Sequence, residues 1–292
     1  MIVSHLLGGL GNQMFQYAVG RSRMLTLGTE LKLHVADFAG YGLHQGFELD
    51  RVFAAPFSLA SENDVHSILG WRGCRQCRRL LKKRYFSALR GTRFIVEPGF
   101  QYWPDISCIK DASYLMGYWQ SEKYFADIQD AIRSDFVFKG ELSGQNAELA
   151  QCITKSNAVS LHVRRGDYAS NPRTNATHGL CSLDYYRTAI CYLAEHIESP
   201  EFFIFSDDVP WARNNLNIPF PSTYVDHNKG KESHNDMRLM SLCRHHIIAN
   251  SSFSWWGAWL NARTDKIVVA PRLWFANGTS TGDLIPDNWL TL

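Results

Sequence analysis

The 292-residue sequence predicts an α/β protein built on doubly wound parallel sheets. Three observations carry that expectation. Short β-prone runs alternate with longer segments whose apolar residues recur at helical spacing. Helix punctuation falls at the junctions: Gly28 behind the first helix, Ser182 ahead of "LDYYRTAICYLAEH", and Pro210 in the first turn after "SDD". Four polar clusters, "GGLGN" (8–12), "RRGD" (164–167), "SDD" (206–208) and "NSSFS" (250–254), each follow a strand-like run directly.

The elements follow in order. "MIVSHL" is a strand, "GGLGN" a turn, residues 13–28 a helix, and "LKLHVAD" a second strand. This is one βαβ unit, right-handed in a parallel sheet. Residues 38–112 carry no regular pattern. "ASYLMGYWQSEKYF" (112–125) reads as a buried strand leading into a helix. The polar stretch "KGELSGQNAELAQ" (139–151) is the expected boundary between two halves, 1–145 and 146–292. Beyond it the alternation is regular, with strands at 158–163, 201–206 and 246–250, and a last one in "DKIVVAP". Helices follow the first three, the one after 246–250 being "SSFSWWGAWLNA".

Composition narrows the function classes. An apolar content of 45% with 13% aromatics suits a packed core, and a net charge of +2 gives no global attraction to nucleic acid or membrane. Affinity for anions must therefore be local. Seven cysteines, odd in number and scattered, suit a reducing compartment; Cys74 and Cys77 form a lone CxxC without the partners a zinc site needs. The chain shows no signal-peptide pattern and no long apolar run, so a cytoplasmic protein is expected, with the sequons at Asn175, Asn250 and Asn277 unused. The segment "WRGCRQCRRLLKKRYFSALRGTR" (71–93) holds nine Lys/Arg and no acid. It reads as a solvated basic helix or as a patch for anionic lipid head groups or lipid-linked acceptors; nucleic acid is not expected.

Ligands of parallel sheets bind beyond the carboxyl ends of the strands, where all four clusters fall. Arg164 and Arg165 present guanidinium forks suited to phosphate oxygens. Neighbouring strand residues point to opposite faces, so one reaches the ligand and the other pairs with Asp167 or another acid. "NSSFS" opens a helix, where backbone N–H groups can hold a phosphate and Ser251 or Ser252 can cap. Asp207 or Asp208 can accept from a guanine edge or cap the next helix. "GGLGN" is an incomplete dinucleotide fingerprint, because position 14 is methionine. Trp255, Trp256 and Trp259 read as core; His245 and His246 read as structural. "SDD" is not a DxD metal motif, so no metal is expected.

These segments, taken in order, resemble the α-1,2-fucosyltransferases of glycosyltransferase family 11. The resemblance rests on "GGLGNQMFQYA" (8–18), "GYWQSEKYF" (117–125), "HVRRGDY" (162–168), "THGLCSLDYY" (177–186), "FIFSDD" (203–208) and "HHIIANSSFSWWGAWL" (245–260). It implies a GT-B architecture of two Rossmann-like halves facing each other across a cleft. It also implies inverting, metal-independent transfer of L-fucose from GDP-fucose to the 2-hydroxyl of a β-galactoside, in O-antigen or other surface-glycan synthesis on a lipid carrier. Carried over by motif, His162, Arg164, Asp167 and Arg165 belong to the donor-site sequence, and Asp207 to the guanine position. Ser252, Phe253 and Ser254 belong to the phosphate-facing turn, and Gly9, Gly11, Asn12 and Gln13 to an N-terminal loop closing on diphosphate and sugar. Arg164 is expected to be the main leaving-group stabiliser, with Asn12 and Asp167 beside it in the catalytic set. The base stays open between Asp37, which could equally be a cap, and an arrangement needing little base assistance. The rivals are another GDP-sugar transferase, such as an α-1,6-fucosyltransferase, and a binding module without turnover.

Overall fold

The computed structural model describes residues 1–40, 45–166, 171–279 and 281–292. The chain forms two compact units, one of Met1–Lys139 with Gly282–Leu284, the other of Gly140–Thr281 with Ile285–Leu292. Asp283 belongs to the first because its carboxylate pairs with Lys123 and accepts from the Tyr102 N–H at 3.0 Å.

The first unit begins with β1 (Ile2–His5), α1 (Leu10–Leu27) and β2 (Leu31–His34). Gly28 ends α1 in the left-handed region, at φ 59°, where a side chain would be strained. Next come α2 (Leu49–Val52), α3 (Glu62–Leu69), α4 (Arg75–Leu81), β3 (Phe94–Val96), β4 (Ser113–Met116) and α5 (Gln129–Asp135). The four strands form one parallel sheet in the order β2–β1–β4–β3. A capping box starts α3: Ser61 accepts from Asp64 N–H, and Asp64 accepts in return.

Two expectations for this unit need correction. Residues 71–93 are not one solvated helix. A 3₁₀ turn, the seven-residue α4 and a second 3₁₀ turn follow each other, and Arg78 is only 2% exposed. Directly after β4 the stretch 117–125 forms no α-helix but a 3₁₀ turn at Glu122–Tyr124, and α5 starts only at Gln129. The cause is Glu97, whose half-buried carboxylate accepts from the Tyr118 and Trp119 N–H groups at 2.6 and 2.8 Å and holds Trp119 at φ 57°.

The second unit contains α6 (Gly144–Lys155), β5 (Asn157–Val163), α7 (Pro172–His178), α8 (Leu183–His196), β6 (Pro200–Ser206), α9 (Val209–Asn215) and β7 (Ser222–Val225). It continues with α10 (His234–Leu242), β8 (His245–Ile247), α11 (Ser252–Leu260), β9 (Val268–Ala270) and β10 (Leu290–Thr291). All six strands are parallel, in the order β10–β9–β8–β5–β6–β7. The stretch 139–151 runs from Lys139 and Gly140, where the two units meet in the chain, into the first turns of α6, whose Leu149 and Ala150 pack on the core below β5. β7 and β10 went unread in the sequence: one is half exposed, the other only two residues long.

Core packing follows strand alternation. Val159, Leu161 and Val163 face one layer, with Tyr185, Tyr186, Ile190 and Leu193 of α8; Ala158 faces the other, with Leu239 and Met240 of α10. Trp255, Trp256 and Trp259 are at most 2% exposed, as expected of core residues, and each contributes about 1.5–3 kcal/mol by burial. His246 is a structural residue: its ring bonds Ser160 Oγ at 2.8 Å and the Asn261 amide at 2.9 Å.

Candidate active site

The second sheet has a switch point. The chain enters at β5, moves outward through β6 and β7, then returns to the opposite side for β8, β9 and β10. The reversal lies between β5 and β8, where crossover helices leave to opposite faces and open a crevice beyond the strand ends. β6, β5 and β8 are neighbours, so their carboxyl ends bring "SDD", "RRG" and "NSSFS" side by side.

At the end of β5 the two arginines part. Arg164 Nη1 donates to Asp207 Oδ2 at 2.8 Å, and Asp207 Oδ1 accepts from the Arg165 backbone N–H at 2.8 Å. Arg165 turns to the opposite face, with its guanidinium 3.8 Å from the centre of the Trp211 ring and its Nε 3.6 Å from Asp208. Asp208 also caps α9 by accepting from the Trp211 N–H at 3.1 Å. Gly166 makes this geometry possible, since a Cβ there would lie 2.5 Å from Asp207 Oδ2. Asp207 thus orients the arginine pair, and its carboxylate is already occupied by two donors. Asp167 lies outside the described residues.

The amino end of α11 adjoins these groups. The His162 and Phe253 rings are 5.9 Å apart, which places the first turn of α11 beside the last residues of β5. Ser251, not Ser252, is the cap, accepting from the Phe253 N–H. Ser254 is 1% exposed and donates inward to the Ser251 carbonyl at 3.3 Å, so its hydroxyl serves the helix start. Ser252 and Phe253 are partly exposed. The first-turn N–H groups of a helix lack intrahelical acceptors and carry its positive dipole end, which suits an anion. His162 is 6% exposed with its Nδ1 unpartnered among the described residues; burial, reinforced by Arg164, pushes its pKa down to about 3. It is a neutral ring at physiological pH.

Gly9, Gly11, Asn12 and Gln13 belong to the first unit, at the start of α1. Gln13 is fully buried and makes three bonds: donors to the Gly8 and Gly46 carbonyls, acceptor from the Glu48 N–H at 2.9 Å. Its carboxamide ties two loops together. Asn12 is partly exposed and accepts from Gln120 at 2.7 Å. Gly9 is the α1 cap residue, and Gly11 is buried in its first turn. Asp37 bonds His5 and Arg75, each at 3.0 Å, and these partners hold its carboxyl far below the usual carboxylate range.

The model of glycosyl transferase family 11 matches residues 86–291. An alpha-1,2-colitosyltransferase of Escherichia coli is 36% identical over 295 residues, covering 100% of this chain and 99% of the relative. The O-antigen biosynthesis glycosyltransferase WbnK of the same species is 35% identical, with 99% of both chains covered. This chain belongs to glycosyl transferase family 11.

Its fold is that of solved fucosyltransferases of the GT-B kind. NodZ, an alpha-1,6-fucosyltransferase from Bradyrhizobium, superposes with a TM-score of 0.55 at 12% identity, over 88% of this chain and 91% of NodZ. Among the described residues of this family 11 chain, no three His, Cys, Asp or Glu side chains group as a metal site would require. No helix among them is long and apolar enough to cross a membrane.

Three supporting residues escaped the sequence reading. Trp211 provides the shelf under Arg165, and only its position one turn into α9 hints at that. Asn250, given no role of its own within "NSSFS", bonds the His178 and Trp274 carbonyls at 2.9 and 3.2 Å and fixes the loop before α11. Glu97 stands at the end of β3, in the region without pattern, and burial pushes it up to about 7. For Gly166 a signal was present: a glycine directly behind paired arginines at a strand end marks a close approach.

Proposed function

We propose that this glycosyltransferase moves L-fucose from GDP-fucose to the 2-hydroxyl of a terminal β-galactoside, with inversion at the sugar's C1 and without a metal ion. The observation that carries the reading is the joining of Arg164, fixed by Asp207, to the amino end of α11 at the sheet's switch point. As the C1–O bond breaks, C1 becomes cationic and the β-phosphate gains negative charge. A guanidinium held in place and the first-turn amides of α11 meet that charge without reorganising, which is where electrostatic catalysis is strongest. Among the described residues, the acids at this edge that could otherwise recruit a cation, Asp207 and Asp208, are engaged by Arg164, Arg165 and the α9 cap.

Asp37 is a poor choice of base, because its partners stabilise the carboxylate and lower its proton affinity. Support for an α-1,2 linkage comes from the name of the colitosyltransferase relative, and for a surface-polysaccharide acceptor from that of WbnK. The fold relative crystallised with GDP supports a guanosine diphosphate donor.

The colitosyl relative also favours a second reading. Colitose is L-fucose without its 3-hydroxyl, so donor choice turns on one hydrogen-bonding group. A site built to bond that hydroxyl rejects the deoxy sugar strongly, whereas a site without a partner for it accepts both. The test is incubation with GDP-fucose or GDP-colitose, lactose or Gal-β-1,3-GalNAc, and EDTA, followed by linkage analysis. An α-1,2-fucosyl product formed in EDTA is expected. Turnover with GDP-colitose alone would move the assignment to the second reading, loss of turnover in EDTA would remove the metal-free mechanism, and an α-1,6 product would overturn the linkage.

A further inference from the structure

We propose that segment 71–93 docks this protein on an anionic phospholipid bilayer, with Trp71 and Tyr85 entering the head-group layer and unpaired cations contacting lipid phosphates. Charge in this chain is sharply polarised. Residues 65–96 hold nine Lys/Arg and no acid, while the rest holds 21 Lys/Arg against 28 Asp/Glu, a net of −7.

The fold sorts those nine cations. Arg75 pairs with Asp37 and Arg78 with Glu62, which anchor the segment to the first unit. Arg72 and Arg90 donate to the backbone carbonyls of Leu89 and of Leu81 and Lys82, and so fold the segment on itself. The other five, Arg79, Lys82, Lys83, Arg84 and Arg93, are exposed and have no ion-pair partner among the described residues.

Apolar groups accompany them. Trp71, Leu80, Tyr85 and Leu89 are 57%, 46%, 96% and 51% exposed. The Arg72 guanidinium lies 4.8 Å from the Trp71 ring and bonds Leu89, so two of the four adjoin each other. Leu81, Phe94 and the half-buried Phe86 hold the inner side in the core below. Exposed aromatic and aliphatic side chains interspersed along one segment with unpaired cations match the boundary between head groups and acyl chains. A nucleic acid offers the phosphates but gives Leu80 and Leu89 nowhere to go.

Co-sedimentation of the full chain with vesicles tests the proposal. Binding to phosphatidylcholine vesicles containing about 30% phosphatidylglycerol is expected to exceed binding to phosphatidylcholine alone, and to weaken with added salt. Replacing Lys82, Lys83 and Arg84 together by Glu should lower the partition by about 100-fold or more, at roughly fivefold per cation lost. Trp71→Ala with Tyr85→Ala should weaken binding while keeping its preference for the anionic lipid, and both variants should retain the wild-type melting temperature. Wild-type protein left in the supernatant with anionic vesicles, undiminished binding by the triple variant, or displacement from vesicles by a mixed-sequence RNA would overturn it. The measurement uses neither donor nor acceptor, so its failure leaves the transfer reading standing.

Discussion

Arg164 is held by a carboxylate that serves two donors, so its direction is set before any ligand arrives. Arg164→Ala should lower kcat by about 10²–10³ with little change in melting temperature, as for loss of one well-placed donor to developing charge. Stopped assays on a galactoside acceptor check this, and near-normal turnover would take Arg164 out of the role. Gln13 makes the contrasting case. Its three buried bonds mean that Gln13→Leu should cost about 1–3 kcal/mol of stability, read from denaturant midpoints, because two carbonyls and an N–H lose their partners. Glu97 adds a pH dependence. Its folded pKa, about 7, lies above the ordinary 4.5, so the fold binds its proton more tightly than the unfolded chain does. The resulting stability is present below about pH 4.5 and is lost as pH rises through 7, a change of roughly 3 kcal/mol. Glu97→Gln should therefore gain on the wild type between pH 5 and about pH 8 in melting experiments; parallel curves would show that the carboxyl does not titrate there.

At the scale of elements, α11 matters most, because it carries the Trp core on one side and places its amino end beside β5 on the other. Gly257 lets α10 approach it; a Cβ there would lie 2.9 Å from Met240 Cβ. Gly257→Val should lower the melting temperature through a cost of about 1–3 kcal/mol, since overpacking pushes the two helices apart. It should also weaken GDP binding, as the amino end of α11 moves with its body. Unchanged binding would show that this end is fixed by the loop at Asn250 instead. α4 shows how tertiary contacts override a sequence pattern. Its run of cations suggested a solvated helix, yet Glu62 draws Arg78 inward and the helix stops after seven residues.

For the whole molecule, a donor site in the second unit has a thermodynamic consequence. GDP at about 100 times its dissociation constant should add about 2.7 kcal/mol to the stability of the part that binds it, EDTA present or absent. A melting temperature indifferent to GDP would contradict the site. Much of the architecture was legible in the chain because helix caps, strand alternation and polar clusters at strand ends are local signals. Ser182, Asp208 and Gly28 act within a turn of their own positions, and three of the clusters proved to lie on adjacent parallel strands. What residues 8–18 and 162–168 do individually was less legible. Whether Gln13 faces a ligand or a loop, and whether Asp207 reads a base or orients an arginine, depends on partners 33 to 43 residues away. Sequence by itself determined the parallel α/β architecture, the family and the edge of the sheet where charge gathers, since each is written in short-range pattern. Only the tertiary structure decided which cations are spent on internal acids and which face solvent, because ion pairing depends on distances set by packing rather than by order along the chain.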